Sequence, residues 1–276
     1  MNVLLLGSGA AEGWPAPFCE CDACERARLL GGINVRARSG ALDDDDLKID
    51  FSPDTVAQLQ RQRRSIRGLR MIVFTHEHSD HLAPAELEWL VKPFTLTPPA
   101  TRVQVFGNQR VLDVIRAGAP KSVASAIELN LLRPHEPVTT RDGDGILPLP
   151  AQHSEGALVL RITRSRESKS IFYGHDSGVL PTETIDALNR AGPLDVAIFD
   201  CTNGGEPSPQ PGVHMGVAEV VQMVEALKRG GAIVAGRTRC VATHFSHNGK
   251  LSHEELVRAL MPHGIEAAFD GMVVTV

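Results

Sequence analysis

The sequence has few aromatic residues, no excess of positive charge and no long apolar run. Aromatic side chains make up 4% of its 276 residues, and only one of them is a tyrosine. The formal net charge is −5, so the chain lacks the overall basic field that nucleic-acid-binding proteins use. No segment approaches the roughly 20 consecutive apolar residues that cross a membrane as a helix. These absences argue against a nucleic-acid partner and against a membrane partner.

The N-terminal segment also lacks the features of a secretory leader. The segment Met1–Leu6 contains no basic residue, and its apolar part is shorter than the core of a signal peptide. We therefore expect a first β-strand there and a cytoplasmic location for the protein.

The five cysteines are too unevenly placed for a disulfide framework, because three of them fall within Cys19–Cys24. Crowded thiols in a chain without an export signal favour a metal site. Cys19, Cys21 and Cys24 can bind one tetrahedral zinc ion if a fourth ligand completes the site. The alternatives are free or buried thiols, or a redox pair at Cys21 and Cys24. The redox reading has less support, since no thioredoxin-like strand and helix surround the pair.

The most informative stretch follows a short apolar run, Met71–Phe74, that is typical of a buried strand. The loop after it contains three histidines and an aspartate within six residues, namely His76, His78, Asp80 and His81. Imidazole nitrogens and carboxylate oxygens are ligands that suit zinc, manganese and iron. A loop can turn these side chains toward one cavity, whereas a helix would spread them around its axis. The stretch predicts a metal pair.

Further candidate ligands occur in the same kind of place, just after an apolar strand. They are His153, Asp176 and His244. A single histidine after a strand is more often an ordinary surface or core residue. Four strand ends that present such residues are less easily explained in that way. Together with the histidine loop they supply seven ligands, enough for two metals that share Asp176.

The rest of the chain alternates predicted strands and helices, without a linker or a low-complexity tract. Helical patterns cover Val56–Leu69, Pro84–Val91, Thr182–Asn189 and Val217–Lys228, and a further helix around Leu256 is predicted. The last of these is capped by Ser252, with Glu255 three residues on. One domain over residues 1–276, with two packed sheets flanked by helices, fits this order.

Two charged stretches have simple expectations. The four aspartates Asp43–Asp46 predict a solvated turn. The arginines at 61, 63, 64 and 67 predict a solvated helix face. An RNA-binding patch is the alternative for the arginines, but no aromatic residues interleave with them.

The pattern Thr75-His76-x-His78-x-Asp80-His81, with the later His153, Asp176 and His244, resembles the metallo-β-lactamase superfamily of hydrolases. The resemblance covers nearly the whole chain. It implies an α/β fold, the four-layer αβ/βα sandwich of two mixed sheets, with metals at one edge of the sheets. It also implies a division of the ligands. His76, His78 and His153 would bind one metal; Asp80, His81 and His244 would bind the other; Asp176 would bridge them.

A narrower resemblance is to the PhnP-type cyclic phosphodiesterases of phosphonate degradation. It is carried by Gly7-x-Gly9, Gly13-x-Pro15, the cysteine cluster, Thr243-His244-x-x-His247 and the closing Phe269–Met272. The resemblance implies that His247 completes a structural zinc site around residues 19–24. It also places His214 near the leaving group. His175, directly before Asp176, departs from the family pattern, and the segment 201–214 is expected to shape the substrate pocket.

The resemblance implies a metal-dependent hydrolase, a phosphoric diester hydrolase. Its cofactors would be two divalent metals, manganese or zinc, and one structural zinc. The expected reaction is hydrolysis of a small phosphodiester, with cyclic sugar phosphodiesters as candidates, by a hydroxide held between the two metals. Asp80 and His214 are the residues expected to act in catalysis. Two alternatives stay open: an RNA-processing nuclease like tRNase Z, and a PqqB-like, iron-dependent oxygenase of cofactor biosynthesis. Homodimerisation also stays open.

Overall fold

The computed structural model describes residues 1–208 and 212–276. Its strands are short, with two to seven residues each. The strands are β1 (Asn2–Gly7), β2 (Gly40–Asp43), β3 (Leu47–Ile49), β4 (Met71–Val73), β5 (Val103–Gly107), β6 (Ile127–Leu131), β7 (Val138–Thr139), β8 (Gly145–Pro150), β9 (Leu158–Arg164), β10 (Lys169–Gly174), β11 (Val196–Asp200), β12 (Arg239–Thr243), β13 (Ile265–Ala267) and β14 (Met272–Thr275).

These strands form two sheets of seven, with the orders β14-β1-β2-β3-β4-β5-β6 and β13-β12-β11-β10-β9-β8-β7. Both sheets are mixed in the same way. Strands β3 to β6 are parallel in the first sheet, and β10 to β13 are parallel in the second. The remaining neighbours in each sheet are antiparallel. The carboxyl ends of parallel strands meet at one edge of a sheet, which is where such folds bind ligands.

Helices cover the outer faces of the two sheets. The α-helices are α1 (Asp22–Leu30), α2 (Thr55–Arg61), α3 (Gln109–Gly118), α4 (Thr182–Arg190), α5 (Val217–Gly230) and α6 (His253–Leu260), and short 3₁₀ turns lie at Gly32–Asn34, Pro84–Leu90, Lys121–Ser125, His247–Gly249 and Met261–His263. The predicted cap of α6 is confirmed, because Ser252 Oγ accepts from Glu255 N and Glu255 Oε2 accepts from Ser252 N. No helix in the described ranges is long and apolar enough to cross a membrane.

The core lies between the sheets. Fully buried side chains from the first sheet, such as Leu5 and Val73, join Phe172, Phe199 and Val241 of the second sheet in one cluster. Each such side chain contributes about 1.5–3 kcal/mol when it is removed from water. A second cluster, which includes Ile72 and Val105, packs the outer face of the first sheet under α3. The predicted four-layer sandwich is confirmed.

Two local predictions were wrong. The helix expected over Val56–Leu69 ends at Arg61, and a turn follows it. The acidic run does form the turn between β2 and β3, but it is not simply solvated. Asp43 and Asp46 are buried, because the Arg164 guanidinium of the other sheet lies 3.3 Å from the Asp43 carboxylate and 2.6 Å from that of Asp46. Local charge density predicted the turn but not a partner 118 residues away.

The segment Pro84–Val91 was expected to be a helix that begins with proline. The structure forms a 3₁₀ helix at Pro84–Leu90. Its buried side chains, Leu87 and Leu90, pack against the second cluster.

Candidate metal centre

The candidate site is built from residues that follow the carboxyl ends of parallel strands. Asp50 follows β3, the histidine loop follows β4, Asp176 follows β10 and His244 follows β12. Three of these residues have left-handed backbones, with φ of 56° at Asp50, 49° at Asp176 and 62° at His244. A positive φ is uncommon outside glycine, although aspartate and histidine adopt it more readily than most residues. The turn at each strand end directs a polar side chain over the edge of the sandwich.

The first ligand cluster consists of His76, His78 and His153. One ring nitrogen from each lies within 4.8 Å of the others, and His153 Nε2 is 3.3 Å from His78 Nδ1. Nitrogen ligands of a tetrahedral zinc ion, each about 2.05 Å from the metal, lie about 3.3 Å from one another. The two histidines therefore have the spacing that a shared cation requires.

The second cluster gathers around Asp176. Asp176 Oδ2 lies 2.5 Å from His81 Nε2 and 3.2 Å from His244 Nε2. Asp80 Oδ2 is 2.8 Å from the same His81 nitrogen. The Asp176 carboxylate also faces the first cluster, since Oδ2 is 3.8 Å from His76 Nε2. The structure thus brings all seven candidate ligands together, with Asp176 between the two clusters.

The buried polar atoms of the site point to cations. His76 Nε2, His81 Nε2, His244 Nε2 and Asp176 Oδ2 are buried, and although they lie close together, none of them makes a hydrogen bond of normal geometry. Leaving a buried polar atom unpaired costs about 1–3 kcal/mol, so native proteins rarely do so without a ligand. Imidazole and carboxylate donors fit zinc, manganese or iron. The residues fit two divalent cations, and the division of ligands between the cations stays a prediction.

Asp50 holds the second cluster from behind, and the sequence patterns did not identify it. Its carboxylate accepts hydrogen bonds from Thr75 N and His81 Nδ1, both at 2.9 Å. His175 Nε2 lies 3.0 Å from the same carboxylate. Burial favours a higher pKa for Asp50, but the charges and contacts of His81 and His175 outweigh it and hold that pKa well below its usual range. The bond to Nδ1 leaves His81 Nε2 turned toward the cluster, as an outer carboxylate does for a metal-binding histidine.

His175 was the departure from the family pattern. It is buried, and its ring stacks edge-on against His81, with 4.8 Å between the ring centroids. A ring nitrogen of His175 is also within ligand distance of His81, Asp176 and His244. It therefore lies behind the second cluster, on the Asp50 side.

His214 lies beside the two clusters. Its Nδ1 is 2.9 Å from Asp200 Oδ2 and 3.6 Å from Asp176 Oδ1. Burial lowers the pKa of His214, but Asp200 more than compensates and raises it to about 9. Asp200 ends β11 and also accepts from Met215 N at 3.0 Å. The apolar run before Asp200 marked a strand, but its carboxylate was not singled out as a site residue. Residues 209–211 of the 201–214 segment lie outside the described residues.

The cysteine cluster is a separate site. The sulfur atoms of Cys19, Cys21 and Cys24 and a nitrogen of His247 lie within 4.8 Å of one another. Cys19 Sγ and Cys21 Sγ are 3.6 Å and 3.4 Å from His247 Nδ1. Sulfur and nitrogen ligands on one tetrahedral zinc ion lie about 3.6 Å apart, from Zn–S and Zn–N distances of about 2.3 and 2.05 Å.

The surroundings of the thiols differ. The Cys24 backbone amide and the His247 ring lower the pKa of Cys21 to about 6, while burial raises that of Cys24 to about 11. The four residues have the donor set of a closed structural zinc site.

Residues 47–245 match the β-lactamase superfamily domain, and the chain belongs to that family. Along its whole length it is 25% identical to a coenzyme PQQ synthesis protein B of Azoarcus sp. (strain BH72), also covered completely. A solved diphosphatase of the PhnP family superposes with a TM-score of 0.75 at 25% identity, over 100% of this chain and 97% of that one. Zinc-bound PqqB from Methylobacterium extorquens gives 0.73 at 16% identity, over 100% of both chains, a likeness of fold.

Proposed function

We propose that this protein is a metal-dependent phosphodiesterase that hydrolyses a small phosphodiester, with cyclic sugar phosphodiesters as the leading candidates. One observation carries the proposal. Asp176 Oδ2 lies 3.8 Å from His76 Nε2 of the first cluster and 3.2 Å from His244 Nε2 of the second, and His214 Nδ1 lies 3.6 Å from Asp176 Oδ1. The similarity to a PhnP-family diphosphatase supports phosphoryl chemistry.

Two divalent cations, when bound, lower the pKa of a water molecule and neutralise the charge that develops on a phosphoryl group. The chain's own residues supply the rest. Asp80 binds the attacking water and orients it toward phosphorus. Asp200 fixes His214 through Nδ1 at 2.9 Å, which leaves Nε2 to donate a proton to the departing oxygen. His214 also stacks on His244, with 5.6 Å between ring centroids and 20° between the planes, so its orientation is set on two sides.

The test is hydrolysis of bis(p-nitrophenyl) phosphate, and of a panel of cyclic sugar phosphodiesters, with manganese or zinc added. We expect turnover that a chelator abolishes and that either metal restores. His214→Ala is expected to lower kcat about 100-fold, within the range for loss of a general acid. His263→Ala, an exposed histidine on the 3₁₀ turn Met261–His263, is the matched control and should change little. Absence of metal-dependent turnover on every diester would contradict the proposal.

A PqqB-like reaction is the second candidate, and the full-length similarity to coenzyme PQQ synthesis protein B favours it. The two candidates differ in the reaction that the same histidine and carboxylate ligands would support. Iron in protein purified without chelators or added metal would support oxygen chemistry. Zinc would not separate the candidates, because the solved PqqB of Methylobacterium extorquens is zinc-bound, so turnover of phosphodiesters by the zinc or manganese form is the measurement that does.

A tRNase Z-like nuclease gains little support from the arginine-rich stretch. Arg61, Arg64 and Arg70 are paired with acidic residues at 3.4, 3.3 and 3.0 Å. Charges already neutralised by the protein's own carboxylates release few counterions on binding RNA. The net charge of −5 also disfavours binding of an RNA polymer more than binding of a small phosphodiester.

A further inference from the structure

Three sequence-distant segments meet beside the candidate site. They are Gln152–His153 after β8, Asp176–Gly178 after β10, and Gly212–His214. Each contributes one titratable side chain to the site: His153, Asp176 or His214. The first two segments are joined by two hydrogen bonds, Gln152 N to Ser177 Oγ at 3.0 Å and Gly178 N to Gln152 O at 2.9 Å.

The third segment packs directly on Gly178. A Cβ atom at that position would lie 1.9 Å from Gly212 O and 2.8 Å from Gly212 C. Both distances are far below van der Waals contact, and both atoms belong to the backbone, so no side-chain rotation relieves the clash. Gly178 does not have a left-handed backbone. Glycine is therefore required at 178 for a steric reason alone: a side chain there would overlap the segment Gly212–His214, which packs in this position.

The segment Gly212–His214 positions two histidines: it contacts His153 and contains His214. Val213 O lies 3.4 Å from His153 Nδ1. A carbonyl oxygen only accepts, so this contact places the proton on Nδ1 and leaves Nε2 facing the His78 ring. The next residue is His214, which Asp200 holds at 2.9 Å. One backbone segment thus orients a candidate metal ligand and carries the candidate proton donor.

We infer that Gly178 is a positioning residue. Its missing side chain lets Gly212–His214 sit against the strand end, and this contact sets the His153 ring and the place of His214 together. Any larger residue at 178 displaces the segment and loosens both histidines. The effect on His153 as a metal ligand rests on the proposed function, while the seating of His214 does not.

The test compares Gly178→Ala with Gly145→Ala in the purified, full-length protein. Gly145 is a fair control, because a Cβ there would meet its nearest neighbour, Thr163 Cβ, at 3.9 Å. The first readout is the rate at which diethyl pyrocarbonate modifies His214, followed by peptide mass spectrometry with His263 as an internal reference. This readout needs neither substrate nor metal. We expect a severalfold faster modification of His214 in Gly178→Ala and no change in Gly145→Ala.

The second readout is metal binding, which is measured by cobalt titration and by metal analysis. Gly178→Ala should lower affinity at the His76, His78 and His153 cluster by about 10- to 100-fold, as loss of outer-shell contacts does. The cysteine cluster should keep its zinc, which also reports that the variant is folded. Unchanged His214 modification in a folded Gly178→Ala protein would overturn the inference. A different outcome is faster His214 modification in Gly178→Ala, but no metal binding at the histidine cluster of either protein. This result would support the packing of Gly212–His214 on Gly178 and count against the proposed function.

Ser177→Ala covers the case in which Gly178→Ala does not fold. It adds no atoms and removes the hydrogen bond from Gln152 N that holds the 176–178 turn in place, so it loosens the turn on which Gly212 packs. Faster His214 modification in this variant supports the inference, and wild-type behaviour contradicts it.

Discussion

Asp50 Oδ2 lies 2.9 Å from His81 Nδ1, although the two residues are 31 positions apart. They come together because β3 and β4 are parallel neighbours, so the turns that leave them lie side by side. Lys48 Nζ, fully buried, donates to the Asp50 carbonyl at 2.6 Å. The left-handed backbone of Asp50 is thus held where its carboxylate reaches both His81 and Thr75.

Asp50→Asn should weaken metal binding at the second cluster. The amide removes the charge that supports His81 and allows the ring to turn its lone pair away from Asp176. We expect metal affinity at this cluster to fall about 10- to 100-fold, with the cysteine zinc retained. Cobalt titration measures both sites. Asp54→Asn is the control, since Asp54 contacts Arg38 at the start of α2; equal losses in the two variants would contradict a role for Asp50.

Arg164 should be a large contributor to stability. It is almost completely buried, and its guanidinium lies 3.3, 2.6 and 3.6 Å from Asp43, Asp46 and Asp144. Arg164→Met leaves the buried carboxylates of Asp43 and Asp144 without a counter-charge, while Asp46 keeps its pair with Arg70, so we expect a loss of about 3–5 kcal/mol in the free energy of unfolding. The matched control is Arg239→Met, whose partly exposed pair with Glu266 should be worth about 1 kcal/mol or less. Urea denaturation of both variants measures these losses, and similar losses of unfolding free energy in the two would contradict the prediction.

Asp43 should make stability depend on pH. Burial raises its pKa to about 7 and outweighs the nearby Arg164. Because the folded pKa lies above the unfolded one, the folded state binds the extra proton, and this contribution to stability is lost as pH rises from about 4 to about 7.

Asp43→Asn should therefore gain stability relative to the wild type as pH rises, by at most about 1.4 kcal/mol for each pH unit in that window. Denaturant midpoints at several pH values, taken as differences from the wild type, measure the effect. A difference that stays constant between pH 5 and 7.5 would count against it.

The cysteine cluster should hold a metal that supports the fold. Cys24→Ser removes a thiolate from the first turn of α1 and should lower the zinc content by one ion per chain, with a lower melting temperature. Metal at the histidine clusters should persist. Cys240→Ala, a buried cysteine outside the metal clusters, should keep all the metal. Full zinc content in Cys24→Ser would contradict a metal at this cluster.

The sequence by itself determined the chemistry of the site, because ligand type and close spacing are local. His76, His78, Asp80 and His81 fall in one loop after one strand, and that loop also fixed the family and its sandwich fold. The capping box of α6 was local as well, and it was predicted correctly. His153, Asp176 and His244 were predicted as ligands because each comes within three residues of the end of an apolar strand.

Only the tertiary structure decided which residues contact those ligands and orient them. Asp50 and Asp200 carry no distinguishing local pattern, since their partners are fixed by strands that pair across the chain. The same holds for Arg164, whose charge made Asp43 and Asp46 interior residues. Gly178 is the clearest case, because its requirement for glycine comes from a backbone 34 positions away and from no feature of its own turn. Local sequence sets residue types and strand ends, but the packing of distant segments sets the contacts that orient them.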